Sequence, residues 1–357
     1  MSASRIKRLR TACRKANLDG LILTDLDQIR YVSGFSGTAG ALVIGPKTAE
    51  FFTDSRYTIQ AAQQVKGAKT HEAKGEAIAA LKEYEHLNVK NRRYGISAEH
   101  LTLAARDRLQ KSVPDSLLIP ADDILAELGW VKEKSEINLI KKAVKISDTA
   151  FERILPMIEP GIRERELAAE LEYQMIMLGS EKPAFETIVA SGYRSAMPHG
   201  IASDKKVEKG DFVTFDFGAT VGGYVSDITR TVVVGKATSR QKRVYDTVLR
   251  AQLAGIKKVK PGTTGVAVDK ACRDIIKKAG WAKKFGHGTG HGVGYLVHTG
   301  PRVSPKSPDK LKAGNVITIE PGVYFEGWGG VRIEDDVVVT RRGGQVLNKA
   351  EKKLLEL

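Results

Sequence analysis

Between Asp211 and Val234 the chain reads DFVTFDFGATVGGYVSDITRTVVV, two β-rich runs that meet at Gly222-Gly223. Such runs joined by a glycine pair predict a β-hairpin. Two acids, Asp216 and Asp227, break the apolar pattern where a lone carboxylate would be costly to bury. A turn centred between Val221 and Gly222 would set them opposite each other, with Cβ atoms about 4.5–5.5 Å apart, where like charges repel. That arrangement calls for a cation. Residues 313–339, AGNVITIEPGVYFEGWGGVRIEDDVVV, repeat it: a shift of 104 (314 − 210) lays Gly210 on Gly314, Thr214 on Thr318, Gly218 on Gly322 and Asp216 on Glu320. The partner acid is Glu334, three residues past the strict shift (227 + 104 = 331), so the second loop is longer. Two hairpins with facing carboxylates predict one four-carboxylate cation site.

The rest of the pattern places these hairpins. A helix is predicted up to about Leu18, with Ile6, Leu9 and Ala12 on its apolar side. The strand GLILT, the apolar run ALVI and the segment FFTDSRY follow, then a helix through Ala61-Ala62; YGISAEH precedes a further helix over Leu103–Leu109. Alternation of this kind predicts an α/β layer domain. From Asp122 the pattern turns to long helix, ending at Pro160-Gly161, so we divide the chain into 1–124 and 125–357. The second part repeats: a shift of 101 (262 − 161) lays Pro160-Gly161 on Pro261-Gly262 and Gly179 on Gly280. Two related halves would put both hairpins at the centre of one sheet and bring all four acids together.

With 357 residues and 42% hydrophobic content the chain can bury one large core or two ordinary ones. The formal charge of +15 invites a nucleic-acid reading, but the Lys and Arg residues are scattered over helix faces such as Lys132–Lys145 and Lys257–Lys260. No nucleic-acid motif or aromatic-interleaved basic run accompanies them, so no nucleic-acid partner is expected. Cys13 and Cys272 lie far apart in helix-like sequence, which suggests reduced thiols and a cytoplasmic location. The N-terminus lacks the apolar core of a signal peptide, and no apolar run reaches the roughly 18 residues of a membrane helix.

Histidines supply the remaining chemistry. FGHGTGHGVG holds His287 and His291 between glycines that let the backbone approach a ligand. Imidazole complements carboxylates around Zn, Mn, Fe or Co, so this loop is the expected source of a fifth ligand. His199, in MPHG, and His298, in LVHTG, precede the first and second hairpins and are read as active-site residues.

The order Asp, Asp, His, Glu, Glu in FDFG, SDITRT, GTGHGVG, IEPG and VRIED resembles the full ligand set of the pita-bread metallopeptidases. That family includes methionine aminopeptidase, Xaa-Pro aminopeptidase and Xaa-Pro dipeptidase (prolidase), and the resemblance covers nearly the whole chain. SGYRSAMPHGIAS is similar to the substrate-side loop of proline-directed members. RYVSGFSGTAGALV and FFTDSRYTIQA resemble the creatinase-like N-terminal domain of bacterial aminopeptidase P, a domain that methionine aminopeptidases usually lack. Creatinase shares the fold but not the ligands.

The resemblance implies a creatinase-like α/β domain followed by a pseudo-twofold pita-bread domain, α/β (α+β) in class. It implies two divalent metals, manganese foremost with cobalt or zinc as alternatives. Asp216 would chelate one, His291 and Glu320 the other, and Asp227 and Glu334 would bridge them. Metals about 3.5–4 Å apart activate a shared water and polarise the scissile carbonyl. Glu320 would shuttle the proton, and His199 and His298 would hold the substrate carbonyl. His287, Tyr324 and Arg332 would line the substrate side, with Arg332 alternatively a partner of Asp227. The implied activity is Xaa-Pro aminopeptidase on proline-containing peptides, by a homodimer away from membranes. Xaa-Pro dipeptidase is the alternative, and a non-catalytic binding protein on the same fold is the remote one.

Overall fold

The computed structural model describes residues 2–357, the side chains of residues 2, 3 and 125 excepted. It divides into two compact units, Met1–Leu128 and Gly129–Leu357.

The first unit runs α1 (Ser2–Lys15), β1 (Gly20–Leu23), α2 (Leu26–Ser33), β2 (Ala41–Ile44), β3 (Ala49–Asp54), α3 (Thr58–Gln64), β4 (Lys69–Ala73), β5 (Arg93–Ile96), α4 (Leu103–Ser112) and β6 (Leu117–Pro120); α5 (Asp122–Trp130) crosses its end. The strands form one mixed sheet in the order β4-β3-β2-β1-β5-β6. Along α1 the buried apolar positions are Ile6, Leu9 and Cys13, so the apolar stripe passes through Cys13 and leaves Ala12 at its edge. Asp25 starts α2 by accepting the backbone N–H groups of Asp27 and Gln28, and Gly34 closes it in the left-handed conformation.

The predicted long helix beyond Asp122 is two helices. The chain breaks at 131–133, and α6 (Lys134–Ile154) restarts where the Glu136 carboxylate accepts the Glu133 N–H at 2.7 Å. The second unit continues with α7 (Glu164–Met177), β7 (Ile188–Ser191), β8 (Phe212–Phe217), β9 (Thr220–Val221), β10 (Tyr224–Val225), β11 (Ile228–Val233), α8 (Ser239–Lys258) and α9 (Gly265–Lys278). Then come β12 (Gly290–Gly292), β13 (Thr299–Val303), β14 (Val316–Ile319), β15 (Gly322–Phe325), β16 (Gly329–Arg332), β17 (Asp335–Thr340) and β18 (Gly343–Val346). The repeat is visible in the backbone: Gly161 and Gly262, Gly179 and Gly280, and Gly210 and Gly314 all have positive φ.

Each half lays its helix pair on its own strands. Phe151 and Leu167 of the first pair pack with Phe215 and Phe217 of β8. Val248 and Val268 of the second pack with Ile317 and Ile319 of β14. The strands do not make the single expected sheet. Backbone ladders give a three-stranded sheet β11-β8-β7 and a five-stranded sheet β13-β12-β14-β17-β18, with two-stranded ribbons β10-β9 and β15-β16. Along β11 the halves meet through Glu334 N–H to Thr229 O and through Thr231 Oγ1 to Arg332 O. Side chains replace a continuous ladder there, which leaves room for the acids.

The two hairpin tips differ. Gly222 and Gly223, with φ of 59° and 77°, form the two-residue turn that only left-handed residues allow. A Cβ on Gly222 would lie 3.1 Å from Leu139 of α6, whereas one on Gly327 would meet nothing within 4 Å. Elsewhere, Arg240 stacks 4.0 Å from the Trp328 ring centre, an aromatic–cation pairing across a long sequence gap. Cys13 and Cys272 are free and buried, their thiols pushed up to about 11 and about 12 by desolvation. Among the described residues, no helix is long and apolar enough to cross a membrane.

Candidate active site

The first hairpin pairs Asp216 with Thr229, Phe217 with Ile228 and Tyr224 with Val221. Its centre therefore lies between Gly222 and Gly223, one position later than the spacing of the acids suggests. Asp216 and Asp227 are consequently diagonal neighbours on one face. In the second copy, Ile319 pairs with Asp335 and Gly322 with Arg332, so Glu320 does stand directly across from Glu334.

The four acids and four histidines, His199, His287, His291 and His298, line one cleft of about 640 Å³. Asp227, His291 and Glu334 bring ligand atoms within 4.8 Å of one another. His291 Nε2 is 3.6 Å from Asp227 Oδ2 and 3.4 Å from Glu320 Oε1. Asp216 comes in from the far side, where Arg332 Nη2 donates to its Oδ2 at 2.6 Å; its Oδ1 is buried and has no hydrogen-bond partner. Arg332, buried and part of the cleft lining, is thus the partner of Asp216 and not of Asp227, a correction to the alternative sequence reading.

The electrostatics ask for a cation. Burial, then the charges of Glu334 and Asp216, raises the Asp227 carboxyl well above the usual carboxylate range. Glu334 is raised well above its ordinary value by burial and by Glu320 and Asp216. Glu320 rises mainly through burial. Burial lowers His287, His291 and His298, which keeps the imidazoles neutral and fit to bind a metal or donate one N–H. An orphaned carboxylate oxygen beside a compact Asp, His, Glu cluster is the donor chemistry that a divalent ion satisfies.

The His298 ring packs against His291, centres 4.4 Å apart and planes tilted by 55°, and His199 lines the cleft from the loop after β7. His287 lines it too, with Nε2 2.9 Å from the Tyr324 hydroxyl. The expected substrate contact of Tyr324 is displaced: the ring lies outside the cleft lining, its hydroxyl shared between His287 and Arg332 Nη1.

Several residues escaped the sequence reading. Thr229 donates to Glu334 Oε2 at 2.6 Å and accepts from Arg332 Nε at 3.0 Å. It lies two residues past Asp227, on the same face of the strand, so period-two alternation could have found it. Thr318 donates to Glu320 Oε1 and accepts the His291 N–H. Asp336 accepts the Asp227 N–H at 3.0 Å. Phe185, Ile188, Pro198, Ile201 and Val297 make an apolar wall, and Arg302 joins the lining with no sequence signal of its own.

The model of metallopeptidase family M24 matches residues 138–341, and that of the creatinase/prolidase N-terminal domain matches residues 5–128. The fold is similar to a solved Xaa-Pro dipeptidase from Bacillus anthracis, at 42% identity and a TM-score of 0.96 over 100% of both chains. It is similar to a solved X-Pro aminopeptidase from Thermotoga maritima, at 37% identity and a TM-score of 0.90 over 99% of both. The Xaa-Pro dipeptidase of Pyrococcus horikoshii is 38% identical over 98% of each chain.

Proposed function

Since this chain belongs to metallopeptidase family M24, in its proline-directed branch, and is a metallo-exopeptidase, we propose that it is an Xaa-Pro dipeptidase. The sequence reading put Xaa-Pro aminopeptidase first; the dipeptidases among the relatives favour the alternative. One observation carries the choice. Arg302 lines the cleft, and among the described residues its guanidinium makes no hydrogen bond or ion pair. Its charge is felt at His291 and His298. An exposed, unneutralised guanidinium there suits the free carboxylate that a dipeptide carries beside its scissile bond.

Asp216, Asp227, His291, Glu320 and Glu334 would hold two divalent ions, with manganese the proposed pair. When bound, such ions polarise a carbonyl and lower the pKa of water. Glu320 takes the proton of the attacking water and returns it to the departing proline nitrogen. His199 and His298 donate to the carbonyl oxygen as negative charge develops. His287 orients the substrate from its bond to Tyr324. The apolar wall receives the proline ring. Losing two or three ring methylenes costs about 0.8 kcal/mol each, which predicts roughly ten- to hundredfold slower cleavage when alanine replaces proline. A cytoplasmic homodimer is the companion proposal; buried thiols at Cys13 and Cys272 suit that compartment, and mass in solution tests the dimer.

Kinetics on Xaa-Pro, Xaa-Pro-Yaa and Xaa-Ala peptides test the reading. A dipeptidase prefers Xaa-Pro, and Arg302→Met raises KM for it far more than for Xaa-Pro-Yaa. Faster release from tripeptides restores the aminopeptidase; equal kcat/KM for proline and alanine removes the proline assignment.

A further inference from the structure

Two fully buried acids neither line the cleft nor reach the cation cluster, yet each is tied to a histidine loop. Glu164 opens α7 and Asp269 lies in the second turn of α9, the counterpart helix of the other half. Glu164 accepts five hydrogen bonds. Ser191 N and Oγ reach its Oε1 at 2.7 and 2.9 Å. Arg194 Nε, Ser203 N and Ser203 Oγ reach its Oε2 at 2.9, 3.0 and 2.6 Å. Ser191 and Ser203 are the first and last residues of SGYRSAMPHGIAS, so one carboxylate closes both ends of the segment that presents His199. Arg194 tightens it further by donating to Ile201 O.

Asp269 does the same elsewhere. It accepts both Arg273 Nε and Nη2, at 2.8 and 2.9 Å, and Thr289 Oγ1 at 2.9 Å. Arg273 in turn donates to Phe285 O and His287 O, and Thr289 O accepts the Glu320 N–H at 2.7 Å. This brace therefore reaches the loop of His287 and His291 and the backbone of Glu320, and it leaves His199 alone.

We propose that Glu164 and Asp269 are positioning residues with divided labour: Glu164 sets the substrate side through His199, and Asp269 sets the cation side through His291 and Glu320. The physical reason is that a buried carboxylate with several donors over-determines its loop, while its loss strands a guanidinium and several N–H groups without partners. The inference rests on the cleft being the reaction site, and its readouts are chosen to stand apart from substrate identity.

Glu164→Gln keeps the shape but turns an N–H₂ toward two donors. In that variant, Mn²⁺ titrated into the chelator-treated protein should bind with parent stoichiometry and affinity within about twofold. Turnover of Xaa-Pro by the Mn²⁺-loaded variant should fall about ten- to hundredfold, the usual scale for residues that orient a functional group. Amide exchange should rise over residues 191–203 alone. Asp269→Asn should weaken Mn²⁺ binding about tenfold or more, with turnover largely restored by excess Mn²⁺. Equal loss of Mn²⁺ affinity in both variants, or no change in either readout, overturns the division. If either fails to fold, Ser203→Ala and Thr289→Val remove one bond from each brace and must show the same split in smaller measure. A parent protein that binds Mn²⁺ but does not cleave Xaa-Pro sinks the proposed function while leaving this split testable by binding and exchange.

Discussion

The two acid pairs look alike in sequence and are built differently. The second is built mostly from its own half: Glu320 faces Glu334 in one continuous register, and Thr318 and His291 attend Glu320, while Glu334 takes the Thr229 hydroxyl from the first. The first is diagonal and leans on its neighbour. Asp216 is neutralised by Arg332, and the Asp227 backbone is held by Asp336. A repeated motif thus contributes unequally to a shared centre, and neither half is a finished site.

The largest expected effect tests whether both pairs serve one centre. Asp227→Ala and Glu334→Ala should each lower kcat/KM more than about a hundredfold, beyond the scale of residues that merely orient ligands, and should lower metal content. Metal analysis beside kinetics decides it; normal turnover with full metal in either variant would sink the shared centre. Next, His298→Ala should keep bound metal while losing roughly a hundredfold in kcat, as for removal of a transition-state donor. Loss of a metal equivalent instead would mean that His291 and His298 have been exchanged in role.

Thr229→Val probes the dependence of one pair on the other. It should weaken metal binding about tenfold, whereas Thr214→Val, whose hydroxyl meets Thr231 instead of an acid, should not; calorimetric titration separates them. The smallest effect is on stability. Asp227 and Glu334 have raised carboxyl pKa values in the folded, metal-free chain, so the fold retains protons that the unfolded chain has already released. Their contribution is full below about pH 4, the ordinary carboxylate value, and is lost as pH rises through the raised values. Melting temperature of the chelated protein should fall over that window, and Asp227→Asn with Glu334→Gln should flatten the fall. A melting curve indifferent to pH would mean that Arg332 already compensates the cluster.

Much of this was legible in the chain. The glycine turn, the shifts of 104 and 101 and the five candidate ligands are local signals: turn chemistry, strand period and motif spacing. The register of the first hairpin was misjudged by one position because symmetry was assumed between the acids, when the left-handed pair Gly222-Gly223 sets the centre. The single sheet was expected for the same reason, that related halves invite a continuous ladder. What stayed hidden crosses the halves. Arg332 meets Asp216 across 116 residues and Thr229 meets Glu334 across 105, distances at which no periodicity operates. Glu164 and Asp269 read as ordinary acids of helix starts until their loops close on them.

The two hairpin tips carry a consequence for how this chain tolerates lengthening. The first is pressed against Leu139, and any added residue there must displace α6 from the strands beneath it. The second, at Glu326-Gly327, is exposed, with open space around Gly327, while Glu320 and Glu334 are held by ladders on both sides. A peptide grafted between Glu326 and Gly327, or a cut made there, should leave metal content intact, whereas the same graft between Gly222 and Gly223 should not. Metal analysis of the two grafts would read this directly. The open tip is where new length, and with it new partners, can be added without disturbing the chemistry.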